Sequence, residues 1–313
     1  GVLIMLSRVA SNLCWFGRYL ERAENTARII NVNSNLMLDL PKTISLGWEP
    51  IVDILSYRDL FYSNHKEAVE RNVINFMVAD QKNQGSIISA LSAARENART
   101  IREIIPREAW EQINELFTYA KENCQKAQAR RSRYAFLSEI IRSNQTITGI
   151  LAGTMTHDEG YEFLRIGRNL ERADMTTRII DVRSASLLQE TETSQSAFEN
   201  LQWMSVLKSL TAYQMYRREV RLRIRRPDVL KFLLLEDRFP RSLLHALQQV
   251  ELGLKQLPNH EEAIMQIRVV EKQLLEANPQ TLIQEKLHDF IDDMQLGLNT
   301  IFDKINQTYF PNN

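Results

Sequence analysis

Apolar residues recur at intervals of three and four along most of the chain, as in Ile113, Leu116, Phe117 and Ala120. That spacing is the signature of amphipathic helices, and no segment shows the sustained alternation of a half-buried strand. The first helix is expected from Ser7 to about Leu40, stopped by Pro41. On it Phe16, Tyr19, Leu20, Ala23, Ala27 and Ile30 share one face at 100° per residue. Another long helix is expected from Thr156 to about Glu190, with Thr156 and Glu159 as a capping box and the polar stretch 191–196 as the loop after it. Breaks fall at Gly47–Pro50, Gln81–Gly85, Pro106, Pro227, Pro240, Pro258 and Pro279.

The pattern also repeats. Residues 16–32 read FGRYLERAENTARIINV and residues 166–182 read IGRNLERADMTTRIIDV, identical at 11 of 17 positions. A weaker match pairs 73–91 with 229–247, where Val73/Val229, Phe76/Phe232, Ser86/Ser242, Ala90/Ala246 and Leu91/Leu247 agree. Order is kept while the offset drifts from 150 to 156, as duplication followed by a small insertion would give. The expected fold is therefore all-α: an internally duplicated helical bundle whose pseudo-symmetric halves, 1–153 and 154–313, pack together as one unit.

Composition agrees. Ten Gly and eight Pro in 313 residues are too few for a loop-rich β or dinucleotide-binding chain. Lys plus Arg equals Asp plus Glu at 39 each, which removes a strongly basic nucleic-acid binder. Two cysteines, Cys14 and Cys124, cannot build a disulfide scaffold or a four-thiolate zinc site. The N-terminal apolar stretch is interrupted too soon for a signal segment, and Met5 is a candidate natural start. The longest apolar run, Phe232–Leu235, is far short of a membrane span. A soluble cytoplasmic protein is expected.

The repeated helix carries charge opposite its apolar face: Arg18, Glu21, Asn25 and Arg28, flanked by Arg22 and Glu24. The second copy offers Arg168, Glu171 and Arg178, flanked by Arg172 and Asp174. Arg–Glu spacings of three and seven place each glutamate between guanidinium groups, which would fix its orientation. Gly17 and Gly167 lie near the same arc, and glycine costs about 1 kcal/mol in a helix relative to alanine, so close approach of a backbone or ligand is expected there. A charged arc of this kind is ordinarily a solvated face or a buried helix–helix ion pair. Here the charged positions match between copies better than the apolar ones, as Tyr19/Asn169 and Ala27/Thr177 illustrate. That points to a buried network or a site, and spacing alone does not separate the two.

These residues carry a resemblance. The two Leu-Glu-Arg-Ala helices at 17–24 and 167–174, the Ala94–Arg99 stretch with Trp110, and Asp237–Ser242 resemble the alpha-E family, over nearly the whole chain. That family is all-helical, bacterial, named for its Glu-Arg motif and functionally uncharacterised. The resemblance implies a setting beside circularly permuted ATP-grasp proteins and transglutaminase-like proteins. It thereby implies a peptide- or amide-forming system with an ATP-grasp-type ligase and a transglutaminase-like protein as partners, and a small peptide or amino-acid-like substrate. In that setting Glu21 and Glu171 are the candidate acid/base or amine-binding carboxylates, in a polar cleft between the halves. Arg18, Arg22, Asn25, Arg28, Arg95, Arg99, Arg168, Arg172, Asp174 and Arg178 are the candidate substrate-binding set. The rival reading is a non-catalytic scaffold that docks an ATP-grasp enzyme, with the Glu-Arg pairs as structural clamps.

Other chemistry finds little support. No His-Glu-x-x-His, Gly-x-Gly-x-x-Gly, Walker or Gly-x-Ser-x-Gly motif occurs, so no cofactor is expected in this chain and any ATP is used by a partner. Glu285-x-x-His288 is a single copy of a spacing that di-iron bundles need twice. A carboxylate-bridged metal site on Glu21, Glu24, Glu171 and Asp174 is disfavoured by the neighbouring arginines. Arg95, Arg99 and Arg102 share one side of a helix and suit a carboxylate or phosphate. Arg217, Arg218, Arg221, Arg223, Arg225 and Arg226 form the densest basic run; partner docking, internal pairing or a solvated helix end outweigh nucleic acid there. Phe310–Asn313 reads as a frayed tail.

Overall fold

The computed structural model describes residues 7–40, 47–55, 57–185, 195–220 and 223–311. Among them every regular element is helical: fourteen α-helices and one 3-10 turn, with no strand. The chain divides into two compact units, one ending at Arg168 and one running Asn169–Pro311.

The first unit holds α1 (Ser7–Asp39), α2 (Glu49–Ile54), α3 (Arg58–Asn64), α4 (Glu70–Val78), α5 (Ile87–Thr100), α6 (Arg107–Asn123) and α7 (Arg130–Thr154). The division falls inside α8 (Glu159–Ala185), whose first turns belong to this unit. α1 packs on α5 and α7, α5 on α6, and α6 on α7. Its core includes Ile113, Leu116 and Ala120 of α6, as the periodicity expects, with Phe117 half-buried, and Phe136, Ile140, Ile147 and Leu151 of α7. The second unit holds the rest of α8, then α9 (Gln195–Ser209), α10 (Tyr213–Glu219), α11 (Arg226–Leu235), α12 (Leu243–Leu254), α13 (Glu261–Glu276) and α14 (Glu285–Tyr309). There α13 packs on α12 and α14, and α11 on α9, α12 and α13.

Local chemistry sets the helix starts. Ser86 caps α5 by accepting from Ser89 N–H, and Ser242 caps α12 by accepting from His245 N–H, the pair of serines matched in sequence. α8 starts two residues later than a Thr156 cap would place it. Asp158, immediately before the helix, accepts from Tyr161 N–H at 3.3 Å, so its carboxylate caps in place of the Thr156 hydroxyl. Stacking of His157 on Tyr161, ring centroids 3.8 Å apart, holds the preceding backbone outside the helix.

Buried positions recur along the chain. Those of α5 (87, 88, 90, 91, 94 and 98) recur in α12 as 243, 244, 246, 247, 250 and 254. Ala109, Ile113, Leu116 and Ala120 of α6 are met in α13 by Ala263, Ile267, Val270 and Leu274. Leu137, Ile140, Asn144, Ile147 and Leu151 of α7 are met in α14 by Ile291, Met294, Leu298, Ile301 and Ile305. The expected fraying at the C-terminal end does not hold for Phe310, which is buried, while the Tyr309 hydroxyl donates to Pro258 O at 2.7 Å. An aromatic pair beside a long helix has apolar surface to cover, and that outweighs its position near the end. Pro41, the first six residues, the stretch 191–194, Arg221 and Asn312–Asn313 lie outside the described residues, while Gln195 and Ser196, expected in the loop, already belong to α9.

Candidate functional site

The Glu-Arg helix is buried on far more than its apolar face. Phe16, Leu20, Ala23, Ala27 and Ile30 are enclosed as the periodicity requires, with Tyr19 half-buried, but so are the polar residues Glu21, Glu24, Asn25, Thr26 and Asn33. Glu21 is 5 % exposed and Glu171, in the second copy, 2 %. A solvated, salt-laced face is thereby excluded for both glutamates. Asn25 Nδ2 donates to Glu21 Oε2 at 3.4 Å, one turn away.

Both copies of the motif hold an arginine–carboxylate pair at a spacing of four. Arg28 Nε reaches Glu24 at 3.4 Å, four residues back. Arg178 Nε pairs with Asp174 at 3.0 Å over the same spacing. A guanidinium spans i,i+4 without leaving its helix surface. Arg18 and Arg22 lie over aromatic rings of their own helix, Trp15 at 4.9 Å and Tyr19 at 5.2 Å, and the two rings are 5.3 Å apart. The periodicity that puts Tyr19 on the apolar face hides this ladder of alternating rings and guanidinium groups. The Arg-at-three spacing Trp15/Arg18 and Tyr19/Arg22 was its available signal.

The two glycines mark close backbone contact. A β-carbon on Gly17 would stand 2.5 Å from Leu164 O and 3.1 Å from Arg168 N. One on Gly167 would overlap the backbone of Cys14. The expected close approach is therefore α1 against α8 within the first unit, and Cys14, fully buried at that crossing, is a packing residue. Arg168 and Arg172 are half-buried on α8.

The remaining candidates have separate surroundings. Arg95 Nε donates to Asn114 Oδ1 at 2.6 Å and its guanidinium lies 5.5 Å from the Phe117 ring, tying α5 to α6. Arg99 is exposed on an ion pair with Glu96, whose carboxyl is held below its usual range by the Arg99 hydrogen bond. In the basic run, Arg217 lies over Tyr213 at 5.9 Å and Arg226 donates to Gln280 O at 3.2 Å.

A hollow of about 430 Å³ opens between α1 and α7 in the first unit, lined by Arg28, Asn31, Tyr134, Ser138, Ile141 and Arg142. None of the described residues lining it is acidic. Arg28 uses Nε on Glu24 and Arg142 uses Nη2 on Glu139, each at 3.4 Å. Two cations, an amide, a hydroxyl and an apolar floor make a place for an anion with a small organic body. Arg28 is the member of this set that the sequence singled out; Arg142, Asn31 and Ser138 have no local signal.

Comparison with known proteins adds a lineage. The chain is 21% identical, over 96% of its length, to uncharacterised proteins of Mycobacterium bovis and Mycobacterium tuberculosis. It spans only 36% of the length of those curated relatives. No solved structure matches it. Residues 5–310 match the Alpha-E model, described as a predicted alpha-helical domain with a conserved ER motif, so the chain, with its two Glu-Arg helices, belongs to the alpha-E family.

Proposed function

We propose that this protein holds a carboxylate-bearing peptide or amino-acid-like substrate for a peptide- or amide-forming system, with the ATP-dependent step carried by an ATP-grasp-type partner. The observation that carries this reading is the hollow where Arg28, on the Glu-Arg helix, and Arg142 face one space with no described acidic neighbour in its lining. Guanidinium groups suit carboxylate because their planar donors can meet both oxygens. Asn31 and Ser138 add donors for a peptide carbonyl, and Ile141 with the Tyr134 ring covers a small side chain. The family's resemblance-based setting beside ATP-grasp and transglutaminase-like proteins supports the choice of a peptide over a phosphate. Relatives in which the alpha-E region is a minority of a longer chain are consistent with its working beside other modules.

The test is binding of N-acetyl dipeptides, each as free acid and as C-terminal amide, by calorimetry. Binding of the acid, loss on amidation, and loss in the Arg28→Gln/Arg142→Gln double variant are expected. Equal binding of acid and amide, or none of either, overturns the reading.

Burial of Glu21 and Glu171 favours a second role for the Glu-Arg motif, as a structural clamp in a scaffold that docks the ligase, over acid/base chemistry. Removing one partner of a buried ion pair costs about 3–5 kcal/mol, and a chain of this size loses roughly 2–4 °C per kcal/mol. On the clamp reading Glu21→Gln and Glu171→Gln each lower the melting temperature by on the order of 10 °C. Unchanged melting with altered turnover of the reconstituted system would return both glutamates to the role of acid, base or amine ligand. We also infer that the two units descend from one duplicated ancestor; the recurrence of buried positions from α5 to α12, α6 to α13 and α7 to α14 supports this.

A further inference from the structure

α14 sets His288 and Asp292 four residues apart on one helical face, and α8 brings Asp181, 107 positions earlier, against the same imidazole. His288 Nδ1 lies 2.7 Å from Asp181 Oδ1, and Nε2 lies 3.4 Å from Asp292 Oδ2. Asp181, its side chain 20% exposed, is the half-buried anchor, while the His288 ring is 58% exposed.

The two nitrogens have different tasks. With Nδ1–H donated to Asp181 at 2.7 Å, Nε2 is the nitrogen on the Asp292 side, 3.4 Å from that carboxylate, and it offers its lone pair when the ring is neutral. Two donors on a tetrahedral ion with bonds of about 2.1 Å stand roughly 3.4 Å apart, the separation found between Nε2 and Asp292. A carboxylate accepting from the far nitrogen of a ligating histidine is the usual outer partner of such sites, fixing the tautomer and raising ligand basicity. Asp289 adds negative potential at the ring beside Asp181 and Asp292. The three ligand-bearing atoms lie within 4.8 Å of one another. Imidazole with carboxylate selects a borderline ion such as Zn²⁺ or Co²⁺ over Mg²⁺ or Ca²⁺, which take oxygen. The exposed edge of the ring leaves the other coordination positions to water or to a ligand.

We propose that His288 and Asp292 bind one divalent transition-metal ion, with Asp181 as the outer carboxylate that orients the imidazole. This is independent of the carboxylate-binding hollow, which lies in the other unit. The test is Zn²⁺ titration of chelator-treated protein by calorimetry, repeated with Co²⁺ by visible absorption, with helix content checked by circular dichroism. One ion per chain is expected in the wild type. His288→Ala and, separately, Asp292→Asn should abolish that uptake at wild-type helix content, and Asp181→Asn should weaken it about 10–100-fold. Absence of saturable uptake by the wild type overturns the proposal, as does uptake that survives His288→Ala. An Asp181→Asn affinity equal to wild type overturns the outer-carboxylate assignment.

Discussion

A β-carbon at position 167 would fall on the backbone of Cys14, and one at position 17 would press on Leu164 O, whereas one at Gly149 meets nothing within 4 Å. The same substitution therefore has opposite expected signs along this chain. Gly167→Ala forces α1 and α8 apart, and backbone cannot yield as a side-chain tip does. Overpacking of this kind costs about 1–3 kcal/mol or more, a fall of several degrees in melting temperature. Gly17→Ala should fall less, since its contact is looser. Gly149→Ala, in a helix with open space, should gain about 0.5–1 kcal/mol from the helix preference alone. Thermal melts of the three variants check this, and a Gly167→Ala protein melting at or above wild type would contradict the crossing. The sequence disclosed that Gly17 and Gly167 were needed, because glycine is costly in a helix and stands at both copies. It could not disclose what approached them. Glu21 and Glu171 pose the same limit: their spacing fits a wet face as well as a buried one, and only packing from other helices decides.

Between helices, the buried charges are the features that local sequence left unread. Arg133 belongs to the basic run Arg130-Arg131-Ser132-Arg133, yet it alone of those arginines is fully enclosed. Its guanidinium donates to Ala127 O at 2.7 Å, Ser34 Oγ at 2.9 Å, Glu70 at 3.1 Å and Gln128 O at 3.3 Å, and lies 5.5 Å from the Trp48 ring. Ser34 and Glu70 come from α1 and α4, distant in sequence, so no local window separates Arg133 from its exposed neighbours. The second unit encloses Arg183, on α8, and burial pulls its pKa down to about 10. Arg133→Ala leaves Glu70 and two carbonyls without this donor, and about 3–5 kcal/mol, on the order of 10 °C, should be lost. Lysine cannot reproduce so many fixed donors, so Arg133→Lys should recover only part of that loss. Full recovery would mean that charge alone matters there.

Across α12 and α13 the charge problem has the opposite sign. Glu271 is pushed above the ordinary carboxyl range by burial first, then by the charge of Glu251, which itself holds Lys255 at 3.2 Å and Arg268 at 3.3 Å. A raised folded pKa means that the protonated form suits the fold. That contribution is complete below the unfolded value of about 4.3 and is lost as pH rises through the folded value. At pH 7.5 Glu271 is thus a charged liability, and Glu271→Gln should melt higher than wild type. The gap should close as pH falls toward 4. A variant less stable than wild type at both pH values would show that its carboxylate is needed charged.

At the scale of the whole molecule, the helical class and the long helix from Ser7 were legible because the apolar period runs through nearly every segment. The order of the fourteen helices among the described residues was less so, since α2, α3 and α10 are six or seven residues long and too short to show a period. Net charge bears on function here. Thirty-nine basic residues are balanced by 39 acidic ones, so net charge supplies no long-range pull on an anion. Binding at the Arg28–Arg142 hollow must then come from short-range contacts, which salt screens weakly once ligand and guanidinium touch. Affinity for an acetyl-dipeptide acid should fall by less than about tenfold between 50 and 200 mM salt. A nucleic acid held along Arg217, Arg218, Arg223, Arg225 and Arg226 would behave otherwise, because release of counterions from about five single-strand phosphates costs about 10² in affinity over that range. The same titration against single-stranded oligonucleotide completes the comparison. Steep salt dependence with tight oligonucleotide binding would move the function to the basic run, and shallow dependence confined to the peptide acid would leave it at the Glu-Arg helix.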